Sequence, residues 1–178
     1  MKCSVYIAAS VDGFIARTDG DIEWLHNPEY ESNEKLGLTY NEFISTVDAI
    51  VTGRNTFEKV LTFGFWPYED TPVIVLTGRE LHIPDNLRGK VRIEGGDPVE
   101  IVSHLEAEGT QHLYIDGGKT IQQFLKARLI DEITITQIPI LLGSGIPLFN
   151  SIGMEIPLTH LETTSTDNGF VQIRFRVR

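Results

Sequence analysis

Short apolar runs alternate with helix-patterned segments along almost the whole chain, and this alternation restricts the fold more than any other feature. Residues 3–9 (CSVYIAA) are the first such run; 48–52 (DAIVT), 72–77, 91–94, 112–115 and 131–137 follow. Runs this short and this apolar suit strands buried on both faces, as in a parallel sheet. Between them, residues 29–46 carry a helical pattern, with Leu36, Tyr40, Phe43, Ile44 and, one residue beyond, Val47 at spacings of three and four. A short helix is expected from Asn55 to Leu61 and another from Thr120 to Ala127. The best-bordered helix has Asp97 as N-cap and Pro98 at its first position, and Gly109 terminates it. After a loop over 143–157, strands near 158–166 and 169–177 are joined by Thr166-Asp167-Asn168-Gly169, and Asn-Gly is a strong hairpin signal. The expected class is α/β, a mostly parallel sheet with flanking helices and a C-terminal antiparallel hairpin. No repeat or linker interrupts the pattern, so residues 1–178 are expected to form a single domain.

A net charge of -10 disfavours nucleic acid and anionic membranes as partners, since both select a basic face. No apolar stretch approaches a membrane span, and Met1–Tyr6 enters a strand without a signal-peptide pattern. Cys3 is the sole cysteine, and the five histidines lack metal-ligand spacing. A cytoplasmic protein without disulfides or bound metal is expected.

In parallel α/β sheets ligands bind beyond the carboxyl ends of the strands. Three such ends carry unusual junctions: Thr52-Gly53-Arg54-Asn55-Thr56, Leu76-Thr77-Gly78-Arg79 and Asp116-Gly117-Gly118-Lys119-Thr120. Each offers glycine, a hydroxyl and a cation where a helix or turn begins, in an otherwise acidic chain. Backbone N–H groups and the helix dipole make such starts anion sites. Simpler readings exist for each: Asn55 as a cap, Thr77-Gly78 as an ordinary turn, the double glycine as a tight strand-to-helix connection. Taken together, the three suit a dinucleotide with an extra phosphate, NADPH over NADH. Neither a G-x-G-x-x-G fingerprint after a strand nor a Walker sequence is present.

These junctions, with Ala9-Ser10-Val11-Asp12-Gly13-Phe14-Ile15-Ala16, Leu129-Ile130-Asp131-Glu132 and the run Ile138–Phe149, resemble the dihydrofolate reductase-like fold. They resemble most its branch related to the C-terminal reductase domain of bacterial riboflavin biosynthesis. The resemblance covers nearly the whole chain. It implies an eight-stranded sheet, NADPH across the strand ends, a homodimer, and a small heterocyclic substrate. Carried over residue by residue, Gly53, Arg54, Asn55 and Thr56 would hold the adenosine phosphate and pyrophosphate. Leu76, Thr77, Gly78 and Arg79 would meet the adenine end. Gly117, Gly118, Lys119, Thr120 and Ile121 would support pyrophosphate and ribose over a backbone left bare for the cofactor. Ala8 and Ala9 would face nicotinamide and substrate, and Asp12 begins the covering loop.

Two carboxylates are candidates for acid or substrate-orienting work. Glu29 stands where dihydrofolate reductases carry the acid on their first helix, or it is a first-turn carboxylate favoured by the dipole. Asp116 stands where the riboflavin branch carries an acid beside the substrate's ribose, or it shapes the turn. The expected activity is NADPH-dependent reduction of a pyrimidine or pteridine-type ring, most like 5-amino-6-(5-phosphoribosylamino)uracil reductase. Dihydrofolate reductase and a catalytically silent NADP-binding protein are the alternatives.

Overall fold

The computed structural model describes residues 1–30, 34–150 and 152–178. Nine residues, Lys2–Ser10, form β1, and six further strands line up beside it with one closing strand at the edge. They are β3 (Ala49–Gly53), β4 (Val73–Leu76), β5 (Val91–Glu94), β6 (His112–Asp116), β7 (Glu132–Ile138), β9 (Leu158–Ser165) and β10 (Val171–Val177). The sheet order is β5-β4-β3-β6-β1-β7-β10-β9, parallel except where β10 runs antiparallel to β7 and β9. A separate two-stranded ribbon pairs β2 (Phe14–Ala16) with β8 (Ile146–Pro147). Both fall where the sequence pattern suggested only loop.

Strand alternation divides the core in two. On one face, α3 (Pro98–Ala107) and α4 (Gly118–Lys126) cover Val5, Ala9, Val51, Ile74, Leu113 and Ile115. On the other, α1 (Tyr40–Ile44) and α2 (Arg54–Leu61) bring Phe43, Phe57 and Val60 onto Ile50, Val73, Val75 and Tyr114. The β9–β10 connection forms a turn in which Gly169 N–H donates to the Thr166 carbonyl (3.0 Å) with Gly169 at φ 84°.

The helix expected over 29–46 is a correction. A 3-10 turn occupies Pro28–Tyr30, and the α-helix begins only at Tyr40; residues 31–33 of the expected span lie outside the described residues. Gly37 adopts φ 42°, where a Cβ would come within 2.5 Å of Gln172 Oε1 and Thr164 Oγ1. Thr39 then opens the helix with a capping box, its hydroxyl accepting from Glu42 N–H while the Glu42 side chain accepts from Thr39 N–H. The buried Gln172 side chain on β10 takes over the backbone of Leu38: Oε1 accepts from Leu38 N–H (2.8 Å) and Nε2 donates to Leu38 carbonyl (3.0 Å). Nε2 is also within reach of Thr136 Oγ1 at 3.2 Å. Replacing Gln172 by Leu strands these buried partners. We expect a loss of about 2–3 kcal/mol in urea unfolding, because each unsatisfied buried group costs about 1–3 kcal/mol. Wild-type stability in that variant would show that the clamp does not hold the segment.

Candidate functional site

Register decides which strand ends meet. Gly53 pairs with Leu76 and Thr52 with Asp116, so the three junctions leave β4, β3 and β6 on one continuous rim. The structure therefore brings together the residues that the sequence singled out as phosphate-binding. Helix α2 follows β3 without an intervening loop, its N-cap Gly53 lacking any side-chain cap; Asn55 does not cap it. Helix α4 likewise starts after Gly117 with no side-chain cap. Two helix N-termini with uncapped leading N–H groups thus stand side by side, and a Cβ on Gly53 would lie 3.0 Å from Thr120 Oγ1. Arg79 and Lys119 are exposed on this rim. Arg54 is instead folded back onto Glu58, Nε to Oε1 at 2.7 Å. Thr77 Oγ1 accepts from Arg79 N–H at 3.1 Å, which makes residues 77–79 a side-chain-stabilised turn.

Gly117 is required by the chain itself, and Gly118 is closely flanked by it. Gly117 sits at φ 88°, and a Cβ there would collide with Thr56 Oγ1. At Gly118 a Cβ would come 3.0 Å from Ile15 Cδ1 and 3.3 Å from the Pro147 carbonyl, because the β2–β8 ribbon lies over the start of α4. Gln122 fastens that ribbon by donating to the Leu148 carbonyl at 2.9 Å. Both glycines are buried, and the places their Cβ atoms would take are filled by the chain itself.

Three further assignments change. Ile121 is fully buried, and its N–H donates to the Gly117 carbonyl (2.9 Å), so neither its side chain nor its N–H is free for a ligand. Ala8 and Ala9 point to opposite faces of β1: Ala9 belongs to the core under α4, and only Ala8 shares the face of Asp116. Asp12 is a loop clamp. Its Oδ1 accepts from Ser10 Oγ (2.6 Å) and Leu142 N–H (3.1 Å), and its Oδ2 from Gly143 N–H (2.7 Å). The Ser10 hydroxyl, aided by those two amides, holds the Asp12 carboxyl below the usual carboxylate range.

The two candidate acids separate clearly. Glu29 is exposed on the 3-10 turn, whose Tyr30 packs against Phe170 just before β10 (ring centroids 5.4 Å). In the sheet β10 is three places from β6. Asp116 ends β6 among aromatic rings. Its Oδ1 accepts from Gly117 N–H at 2.8 Å and its Oδ2 from the Tyr68 hydroxyl at 3.3 Å. Tyr114, two residues earlier on the same face, donates to the Tyr6 carbonyl at 2.9 Å. Burial pushes the Asp116 carboxyl up, and the hydrogen bonds from Gly117 and Tyr68 offset this only in part. A carboxyl so placed holds its proton to higher pH than an exposed one, which suits an acid. The pull of Asp116 adds to burial in raising Tyr68 and in pushing Tyr40 up to about 12.

Sequence reasoning missed Tyr68, Tyr40 and Thr52. The first lies in an aperiodic loop 48 residues from its partner. Thr52 could have been found, since it ends the strand that leads into the first junction.

Comparison with known proteins bears on the family and the fold. The model of the RibD C-terminal domain family matches residues 2–172. The uncharacterized Bacillus subtilis (strain 168) protein YwjB is 38% identical over 178 residues, covering 98% of this chain and 97% of its own. A Shewanella sp. PV-4 protein provisionally assigned to riboflavin biosynthesis superposes with TM-score 0.92 at 37% identity, covering 100% of this chain and 99% of its own. The Thermotoga maritima diaminohydroxyphosphoribosylaminopyrimidine deaminase/5-amino-6-(5-phosphoribosylamino)uracil reductase has TM-score 0.73 at 15% identity, matching 99% of this chain and 56% of that one. Enterococcus faecalis dihydrofolate reductase, solved with NADP(H), has TM-score 0.65 at 15% identity, with coverage of 99% and 96%. These last two share the fold, which is dihydrofolate reductase-like as the sequence suggested.

Proposed function

The chain belongs to the RibD C-terminal domain family, and from that membership we propose that it is an NADPH-dependent reductase of a pyrimidine or pteridine-type ring. The substrate reading most like its relatives is an aminouracil carrying a sugar phosphate, as in the name of the Thermotoga enzyme. One observation carries the reading: two uncapped helix N-termini meet on the rim where a raised-pKa carboxyl ends the neighbouring strand.

The residues present fit the coenzyme. The leading N–H groups of α2 and α4, with Thr56, Arg79 and Lys119, would hold its phosphates. Bound NADPH supplies the hydride. Asp116 keeps a proton at its carboxyl, within the ring of tyrosines, for the nitrogen beside the reduced carbon of a C=N group. The β2–β8 ribbon and the clamp from Asp12 to residues 142–143 would help to wall a bound ligand from water. Folate reduction has weaker support, because Glu29 stands exposed.

Purified protein mixed with NADPH and 5-amino-6-(5-phosphoribosylamino)uracil should oxidise the coenzyme, read as loss of reduced-nicotinamide absorbance. Coenzyme binding without oxidation by this compound or by dihydrofolate would instead favour a silent NADP-binding protein. Arg79→Ala should lower the preference for NADPH over NADH by about one to two factors of ten, the worth of one or two charged hydrogen bonds. An unchanged preference in competitive titrations would remove Arg79 from the phosphate site. A homodimer is part of the same proposal and is open to sedimentation analysis.

A further inference from the structure

Asp116 is surrounded by polar groups that have nothing to bind. Thr52, opposite it in the β3–β6 register, is 1% exposed, and its Oγ1 has no hydrogen-bond partner among the described residues. The Tyr40 hydroxyl and the Trp66 indole N–H are buried and unpartnered in the same way. All three belong to one neighbourhood. Trp66 packs edge-on against Tyr68 at 5.1 Å, and Tyr68 donates to Asp116. Tyr40 lies 5.9 Å from Tyr6, whose carbonyl takes the Tyr114 hydroxyl, and it is close enough to feel the charge of Asp116. An orphaned buried donor costs about 1–3 kcal/mol, so a cluster of them beside one carboxyl marks a place where a partner is missing.

The chemistry of that partner follows from the charges. Surface acids such as Glu42, Asp70 and Glu108 each have a basic partner, in Lys35, Lys90 and Arg92. Asp116 has none: among the described residues its hydrogen bonds come from an amide and a phenol. A phosphate placed here would meet a carboxyl with no cation between them, whereas hydroxyl and indole donors suit neutral oxygen and nitrogen atoms.

We propose that Thr52, Tyr40, Tyr68 and Trp66 line a pocket around Asp116 that takes an uncharged, hydrogen-bonding face of the substrate, a ring amide or sugar hydroxyl and not a phosphate. The proposal rests on the reductase reading for the identity of the ring. Within it, Tyr68 determines specificity by offering its hydroxyl to the ligand or to Asp116, and any phosphate on the substrate lies outside this pocket.

Trp66 is a built-in reporter. Titrating the protein with 6-aminouracil should change its indole emission saturably, and Trp66→Phe should remove that signal. Tyr68→Phe and Thr52→Val should each weaken 6-aminouracil by about tenfold, one hydrogen bond's worth, while Tyr68→Phe leaves NADPH affinity unchanged. Inorganic phosphate should not compete. No saturable change in the wild type, equal affinity in wild type and both variants, or competition by phosphate would each overturn the pocket. Failure of aminouracils to oxidise NADPH, with hydroxyl-dependent 6-aminouracil binding intact, would count against the reductase reading and leave the pocket standing.

Discussion

Asp116→Asn is expected to lower turnover by about two to four factors of ten, the range of a lost general acid, while making the folded protein more stable at neutral pH. The two effects have one cause. Burial raises the Asp116 carboxyl, so the folded state holds this proton more tightly than the unfolded chain does. Its contribution to stability is therefore fully present below the unfolded value of 3.8 and is lost as pH rises through the higher folded value. Wild type should thus carry a penalty at neutral pH that an amide cannot. The Asn oxygen can still accept from Gly117 N–H, and its amide faces the Tyr68 oxygen. Carboxyls held below their usual range, such as Glu42 at about 2, act in the opposite direction and lose stability as pH falls. The difference in melting temperature between wild type and variant, followed across the acid range to neutrality, isolates Asp116. A variant with wild-type turnover would remove Asp116 from the chemistry. One that melts lower at neutral pH would contradict the burial argument.

Gly117→Ala is the substitution expected to cost the most stability for the fewest atoms added. A side chain at φ 88° is strained by about 1–2 kcal/mol, and its Cβ would drive into Thr56 Oγ1. Together these should destabilise by about 2–4 kcal/mol in urea unfolding, beside an already well-packed start of α4. The second term has its own test. In the double variant Gly117→Ala/Thr56→Ala the hydroxyl is gone, so the pair should be less destabilised than the sum of its singles. Strict additivity would mean that only the backbone angle matters.

Most of the fold was legible because its strands are short, apolar and closed by turn residues; β5 and β6 and the cap and stop of α3 fall where the pattern put them. The helix over 29–46 was not legible, because what overrides its periodicity is Gln172, far along the chain, holding the backbone of Leu38. The three glycine-bearing junctions were readable as strand ends, yet their adjacency came only with the strand order. The double glycine was read as space for a coenzyme; Thr56 and the β2–β8 ribbon fill the places where its Cβ atoms would be. Local sequence could not distinguish these, because an invading side chain and an invading ligand leave the same signature. Asp116 itself was found, but the tyrosines that set its character come from a loop and a short helix with no motif to mark them.

The Gln172 clamp has a consequence for how the protein comes into being. Leu38, two residues before Tyr40 over Tyr6, is pinned by Gln172 on β10, which is also wedged between β7 and β9. During synthesis from the N-terminus the early segment must wait, with its aromatic side chains uncommitted, until the closing hairpin has left the ribosome. The contacts between the Tyr40 segment and β10 are thus among the last things the nascent chain can build.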